Sequence, residues 1–373
     1  MPAASYNTGS LARPRLCRSV NRGAHQSNAP NCLIGMPEMN APANNLSASF
    51  DALQNRGVVC APAGLGWIRV AGDDAAAFLH TQLTNAVEDL GPGAARLAGY
   101  CSPKGRLQAS FLMWRDADGI VLQLSDDIQP ALQKRLSMFV LRAKAKLSDM
   151  SPVVAVVGAA GPQAAQALAK AGLPAPDAVF GTASVESATV IRLPDAAGQP
   201  RWQAVLPAER AGEFRAALSG ELADADSAFW DWLDVQSGIP RIVTATQEQF
   251  VPQMINFELV GGVNFRKGCY PGQEIVARSQ YRGTLKRRMW LVQGDGAVPA
   301  PATEIFRPED PQQPCGMVVN AAPAPQGGWA GLAELKIDAA ASALHLGSAE
   351  GAALTVGELP YEVPLPEATQ AAG

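Results

Sequence analysis

The chain is poor in what holds a metal. Its 373 residues include three histidines, His25, His80 and His345, far apart in the sequence, and six cysteines, Cys17, Cys32, Cys60, Cys101, Cys269 and Cys315, with no C-x-x-C pair. Structural zinc needs four converging Cys or His ligands and a resident iron-sulfur cluster needs four thiolates, so neither is expected. Scattered cysteines in a chain of this length fit free thiols in a reducing compartment rather than a disulfide framework. The run of about 20 apolar residues that a membrane-spanning helix requires is also missing. Basic charge is short as well: 30 Lys and Arg stand against 34 Asp and Glu, net −4, with a pI near 5.5. That balance excludes a broadly basic nucleic-acid surface and leaves at most a local patch. Gly158-Ala159-Ala160-Gly161 lacks the full spacing and the later acidic residue of a dinucleotide loop, so it reads as structural.

Acidic residues are absent before Glu38, whereas Arg13, Arg15, Arg18 and Arg22 fall in that stretch among Ser, Asn, Pro and Ala. Residues 1–48 read as a disordered leader. Its composition matches a mitochondrial transit peptide, and a start extended upstream of Met36 in a bacterial chain gives the same pattern. The Ala- and Gly-rich body favours the second, hence a cytoplasmic protein, or a mitochondrial one if the leader is a genuine transit peptide.

What the chain does contain is ordered into alternating short elements. Residues 67–70 read as a strand, Gly72-Asp73-Asp74 as a turn and cap, and Ala75, Phe78, Leu79, Leu83 and Ala86 recur at helical spacing. His80 lies in that helix and reads as a packed or surface residue. Two apolar runs, 94–101 and 106–114, are joined by Ser102-Pro103-Lys104-Gly105 as a hairpin, and a strand at 120–124 leads to a helix at 128–141. Strands near 153–158, 189–193 and 202–206, with helices at 162–171 and 208–218, form a second set like the first. Residues 227–238 make a helix whose Phe229, Trp230, Trp232, Leu233 and Val235 suit a core. After Met289, short apolar runs separated by Pro and Gly fit a small antiparallel barrel or sandwich. The fold class is therefore α+β.

One stretch carries chemistry: Arg266-Lys267-Gly268-Cys269-Tyr270-Pro271-Gly272-Gln273-Glu274-Ile275-Val276-Ala277-Arg278. Cations and a helix opening at Pro271 both favour thiolate over thiol at Cys269. Gly268 and Gly272 permit positive φ and close approach to the sulfur. The plainer reading, a small residue in a Gly/Pro turn, accounts for the same residues.

The segment Lys267 to Glu274, followed by Ile275-Val276-Ala277-Arg278 and by Tyr281-Arg282-Gly283, closely resembles the signature of the YgfZ family. These are folate-binding proteins related to the glycine-cleavage T-protein and implicated in iron-sulfur cluster assembly or repair. The resemblance implies a T-protein-like fold, two α+β lobes plus a C-terminal antiparallel β-barrel around a central channel. It divides the chain into a leader (1–48), a first lobe (49–150), a second lobe with the cysteine loop (151–280), and a barrel and tail (281–373). It implies tetrahydrofolate as cofactor, with Trp230 stacking on the pterin and Gln236 bonding its edge, where T-proteins have glutamate. Gly272, Gln273, Glu274 and Arg278 join them in cofactor binding, and Cys269 is the functional thiol, tuned by Lys267.

Implied partners are folate and the iron-sulfur assembly machinery or its client enzymes, with no membrane and with nucleic acid contacted indirectly or weakly. Two alternatives follow from the same likeness. One is a folate-dependent aminomethyl transferase, for which the family places an aspartate soon after the hairpin glycine. Here Gly105 precedes Arg106-Leu107-Gln108-Ala109-Ser110, with no carboxylate to move a proton, and Ser102 stands where YgfZ-type sequences often have aspartate. The other is direct tRNA binding. Arg278, Arg282, Lys286, Arg287 and Arg288 around Tyr281 read either as a solvated edge strand or as an anion-binding rim for a polyglutamyl tail or RNA phosphate.

Overall fold

The computed structural model describes residues 43–282 and 285–364, which lie in one compact unit. Of the expected leader, residues 1–42 fall outside the described residues. From Ala43 to Asn55 the chain is helical. Leu46, Ser49 and Leu53 recur along one helix face and are buried there, so order begins earlier than the sequence pattern indicates.

A five-stranded antiparallel sheet runs in the order Ala95–Cys101, Leu107–Arg115, Ile120–Ser125, Leu65–Ala71, Lys146–Asp149. Its strands are apolar on both faces because both are covered. Ile68, Phe111 and Leu122 pack under the helices Ala75–Gln82 and Gln129–Phe139, while Trp67, Leu112 and Val121 point the other way into a central core. The second sheet repeats the plan with six strands, in the order Ala223–Asp224, Val58–Cys60, Val154–Ala160, Gln199–Pro207, Ala188–Ala196, Thr182–Val185. Val157, Leu168, Leu206 and Leu218 pack on its outer side with the helices Ala164–Lys170 and Ala208–Ser219, while Val156, Ile191 and Val205 join the central core. Val58–Cys60 crosses from the beginning of the chain into this sheet, pairing antiparallel with Val154–Ala160.

The third part is a closed antiparallel barrel of Arg287–Gly294, Trp329–Lys336, Gly316–Pro323, Glu304–Phe306, Leu344–Leu346 and Ala353–Gly357. Arg287–Gly294 pairs along its whole length with Trp329–Lys336 and, from Leu291 onward, with Ala353–Gly357, so Arg287 and Arg288 stand on the part of the strand with one strand partner. Met289, Val319 and Leu332 reach from the barrel into the same central core as the two sheets.

The helix Ser227–Gln236 stands where the three parts meet. The Asp226 carboxylate accepts the Phe229 N–H at 2.9 Å and fixes its start, a cap worth about 0.5–2 kcal/mol. Trp230 packs directly on Gly158, where an added Cβ would sit 2.5 Å from the indole. The glycine that resembles part of a dinucleotide loop is there to admit a tryptophan.

Candidate functional site: a cavity at Trp230 and a thiol on a separate loop

All three parts contribute walls to a cavity of ≈ 210 Å³: Leu97, Ser110 and Gln123 from the first sheet, Arg201 and Gln203 from the second, Asn320 and Leu332 from the barrel. Trp230, Asp231 and Asp234 enter it from the central helix. The Arg201 guanidinium lies 5.3 Å from the Trp230 ring centroid and donates to Asp234 at 2.6 Å. Burial of the arginine is tolerated because it is also bonded to Pro194 O, through Nε at 2.9 Å. Gln123 and Gln203 exchange amide hydrogen bonds at 3.2 and 2.8 Å across the two sheets, and Trp67 Nε1 donates to Gln123 Oε1 at 3.3 Å. Asn320 ties the barrel to the loop after the helix, accepting from Arg241 N at 2.8 Å and donating to Arg241 O at 2.9 Å.

Asp231 is the half-buried acid of this cavity. Burial pushes its carboxyl up to about 6, opposed by the Arg241 guanidinium 3.7 Å away and reinforced by Asp234 and Asp226. Sequence reasoning missed both aspartates. Asp234 follows Trp230 by four positions, so helical spacing alone places the two on one face. Gln236 follows Trp230 by six, roughly 240° round the helix. It accordingly lines a separate hollow with Phe50, Trp232 and Leu291, and the polar partners beside Trp230 are the two aspartates.

Cys269 lies elsewhere. It is exposed, on the loop before the helix Gln273–Tyr281, and lines neither of these hollows. Gly272, Gln273, Glu274 and Arg278 are likewise absent from the cavity wall. The helix starts later than Pro271 suggests, with Gly272 as its cap at φ 78. Cys269 precedes that cap by three residues.

The loop is anchored at both ends. Upstream, Thr84 Oγ1 donates to Gly262 O at 2.6 Å, Asn85 Nδ2 to Gly261 O at 2.8 Å, and Asn264 N to Thr84 O at 2.9 Å. Downstream, Gly272 presses against the hairpin turn, where an added Cβ would lie 2.4 Å from Ser102 O. Lys267 Nζ lies 4.8 Å from the Tyr270 ring centroid and donates to Gly268 O at 3.2 Å. Burial pushes the Lys267 ammonium down to about 8, opposed by Cys269 and Glu88. His80 is also part of this surroundings: Nδ1 accepts the Val87 N–H at 3.3 Å, and Nε2 faces Gly268. Its helical spacing gave no sign of that.

Of the basic cluster, Arg278 pairs with Glu274 at 3.2 Å, Arg287 with Glu334 at 2.8 Å, and Arg288 with Glu258 in a buried contact. Three of its five cations are thus already matched by carboxylates. Among the described residues no group of three His, Cys, Asp or Glu side chains converges as a metal site would. No described helix is long and apolar enough to cross a membrane.

Two lobed sheets and a barrel round one cavity define a class of protein. A family model described as the GCVT N-terminal domain matches residues 36–194. The crystal structure of glycine cleavage system aminomethyltransferase T from Bartonella henselae aligns with a TM-score of 0.70 over 84% of this chain and 89% of that one, at 17% identity, so the fold is that of the T-proteins. Closer in sequence is the tRNA-modifying protein YgfZ of Edwardsiella ictaluri, 34% identical over 301 residues, 79% of this chain and 89% of the relative. That of Cronobacter sakazakii is 34% identical over 242 residues, 63% and 71%. The chain belongs to the YgfZ family.

Proposed function

We propose that this chain is a folate-binding accessory protein that supports iron-sulfur cluster assembly or repair, and through it tRNA modification, with Cys269 as its functional thiol. The observation that carries the thiol is the contrast among the described cysteines. Cys60, Cys101 and Cys315 are buried, and burial pushes each thiol up, Cys101 to about 12. Cys269 is exposed, and a reactive cysteine has to be reached. Lys267 keeps a cation beside it. A cluster takes four thiolates, so partner proteins supply the other ligands and the cluster is cargo. The cytoplasm, where thiols stay reduced, suits this chemistry.

The cavity supports tetrahydrofolate. A pterin presents a flat ring and an edge of N–H donors, and Trp230 offers an aromatic wall beside the carboxylates of Asp231 and Asp234, which accept. Ionised Asp231 accepts two such bonds. As pH falls through about 6 it takes a proton, so tetrahydrofolate affinity is expected to weaken below pH 6. Asp231→Asn should flatten that pH dependence in a fluorescence titration; an unchanged slope would remove Asp231 from the site. The stability sign is the opposite. A raised carboxyl pKa stabilises the fold below the ordinary carboxylate range, and this contribution is lost as pH rises through about 6.

Asp231 also favours a second reading, aminomethyl transfer, because it supplies the titratable group that the hairpin lacks. Turnover of an aminomethyl donor by the wild type and not by Asp231→Asn would favour that reading. For tRNA, the name of the relatives is explained indirectly, through client enzymes. With a net charge of −4 and most of the basic cluster paired, tRNA association is expected to be weak and to vanish by about 200 mM salt in a mobility-shift assay. Tight, sequence-selective binding at physiological salt would contradict this. A strain lacking its own family member, supplied with this chain or with Cys269→Ser, tests the thiol assignment itself.

A further inference from the structure

From Ile128 to Ser148 the chain carries five cations and no carboxylate, although its net charge is −4. The segment comprises the helix Gln129–Phe139, a turn, and most of the strand Lys146–Asp149 at one edge of the first sheet. Its inward positions are filled: Leu132 and Leu136 are buried, and Val140, Ala143, Ala145 and Leu147 pack on the same core. Met138, Phe139 and Leu141 face solvent instead, Met138 61% and Leu141 87% exposed. They are three of the eight large apolar side chains exposed among the described residues, and the other five are spread from Val153 to Val298. Exposed apolar side chains gathered in one place and rimmed by charge mark a surface that meets another molecule.

The turn is firmly held. Lys144 N–H donates to Asp74 Oδ2 at 2.7 Å, Asp74 N–H to Lys144 O at 3.1 Å, and Ala143 N–H to Val140 O at 2.8 Å. Within it Leu141 takes a φ of 48, a left-handed conformation that glycine or asparagine adopts at lower cost than leucine. A leucine that is both strained and in water contributes little to this fold, and contact with a partner accounts for its place. Lys134 precedes Met138 by one helical turn, and Arg142, Lys144 and Lys146 follow, all exposed. Of these four, Lys144 alone makes an ion pair among the described residues, with Asp73 at 3.2 Å. Arg135, the fifth cation, is already bonded to Tyr100 Oη at 3.2 Å.

We propose that this face docks a partner protein that presents an apolar side chain ringed by carboxylates, with Phe139 and Leu141 as the anchor and Lys134, Arg142 and Lys146 as the rim. Charge selects the occupant. A second copy of the chain would set the same cations against one another. Residues 1–37 contain four arginines and no carboxylate, so the chain's own leader is repelled as well. RNA phosphate would engage the rim and leave Met138 and Leu141 in water, whereas a protein surface covers both. The face uses neither the cavity at Trp230 nor Cys269.

In the test, the full chain carries p-benzoylphenylalanine in place of Leu141 and is irradiated in cells lacking their own family member. The expected product is an adduct with a second protein whose cross-linked peptide, sequenced by mass spectrometry, is rich in Asp and Glu. Arg142→Glu in the same chain should reduce the adduct at least about fivefold, as should irradiation of the lysate in about 0.5 M salt. No adduct, adducts only with this chain itself, with RNA or with lipid, or an adduct that Arg142→Glu leaves unchanged overturns the proposal. Leu141→Gly separates docking from folding. Because glycine accepts the left-handed backbone, its melting temperature should equal or exceed that of the wild type, while complementation of the same cells falls at least about tenfold. Wild-type complementation by Leu141→Gly would show that the leucine anchors nothing and would likewise overturn the proposal.

Discussion

Cys269→Ser is expected to abolish complementation of a strain lacking its own family member, while the melting temperature stays within about 2 °C of wild type. The two halves of that result have separate causes. The side chain is exposed on a loop held from elsewhere, by Thr84 and Asn85 upstream and by the packing of Gly272 on the hairpin downstream. Replacing one sulfur by oxygen there falls within the usual ±0.5 kcal/mol of a surface substitution. The chemistry has no such reserve. Serine cannot ionise near neutral pH or act as a soft ligand, and the other described cysteines are buried thiols that cannot substitute for it. Wild-type growth with the serine variant would reduce Cys269 to a loop residue.

Trp230→Ala carries the second large effect, a loss of tetrahydrofolate affinity of at least about a hundredfold together with about 3–5 kcal/mol of stability. The indole is 2% exposed, rests on Gly158 and lies near Arg201, so its removal opens a void as well as a binding wall. Trp230→Phe separates the two. A smaller aromatic keeps most of the packing and a flat face, so the fold should survive with affinity reduced only about tenfold. Full affinity in a folded Trp230→Ala variant would place the ligand elsewhere.

The fold was legible wherever a segment had a single periodicity. The runs on either side of Ser102-Pro103-Lys104-Gly105 emerge as the hairpin strands Ala95–Cys101 and Leu107–Arg115, and the apolar runs after Met289 emerge as strands of the barrel. Very short strands gave no such signal. Val58–Cys60 and Ala223–Asp224 are too brief to show a period and owe their state to the sheet that receives them. The cysteine loop was legible because glycines, a proline and cations in fixed order leave a strong local signature. The cavity was less so, because its walls come from three separated stretches of chain that only the tertiary fold assembles. Trp230 could be read from its surroundings in sequence, whereas the partnership of Asp231 with Arg241 and of Asp234 with Arg201 could not. Separation of the thiol from the cavity is a tertiary fact too, since Trp230 and Cys269 lie on neighbouring segments of the sequence.

The central question is whether this chain holds a reduced folate. Isothermal titration calorimetry of the full-length wild type with tetrahydrofolate at pH 7.5 decides it. The expected result is a saturable isotherm with one ligand per chain and a negative heat-capacity change from burying the pterin. Heats that never rise above dilution at millimolar ligand would contradict it.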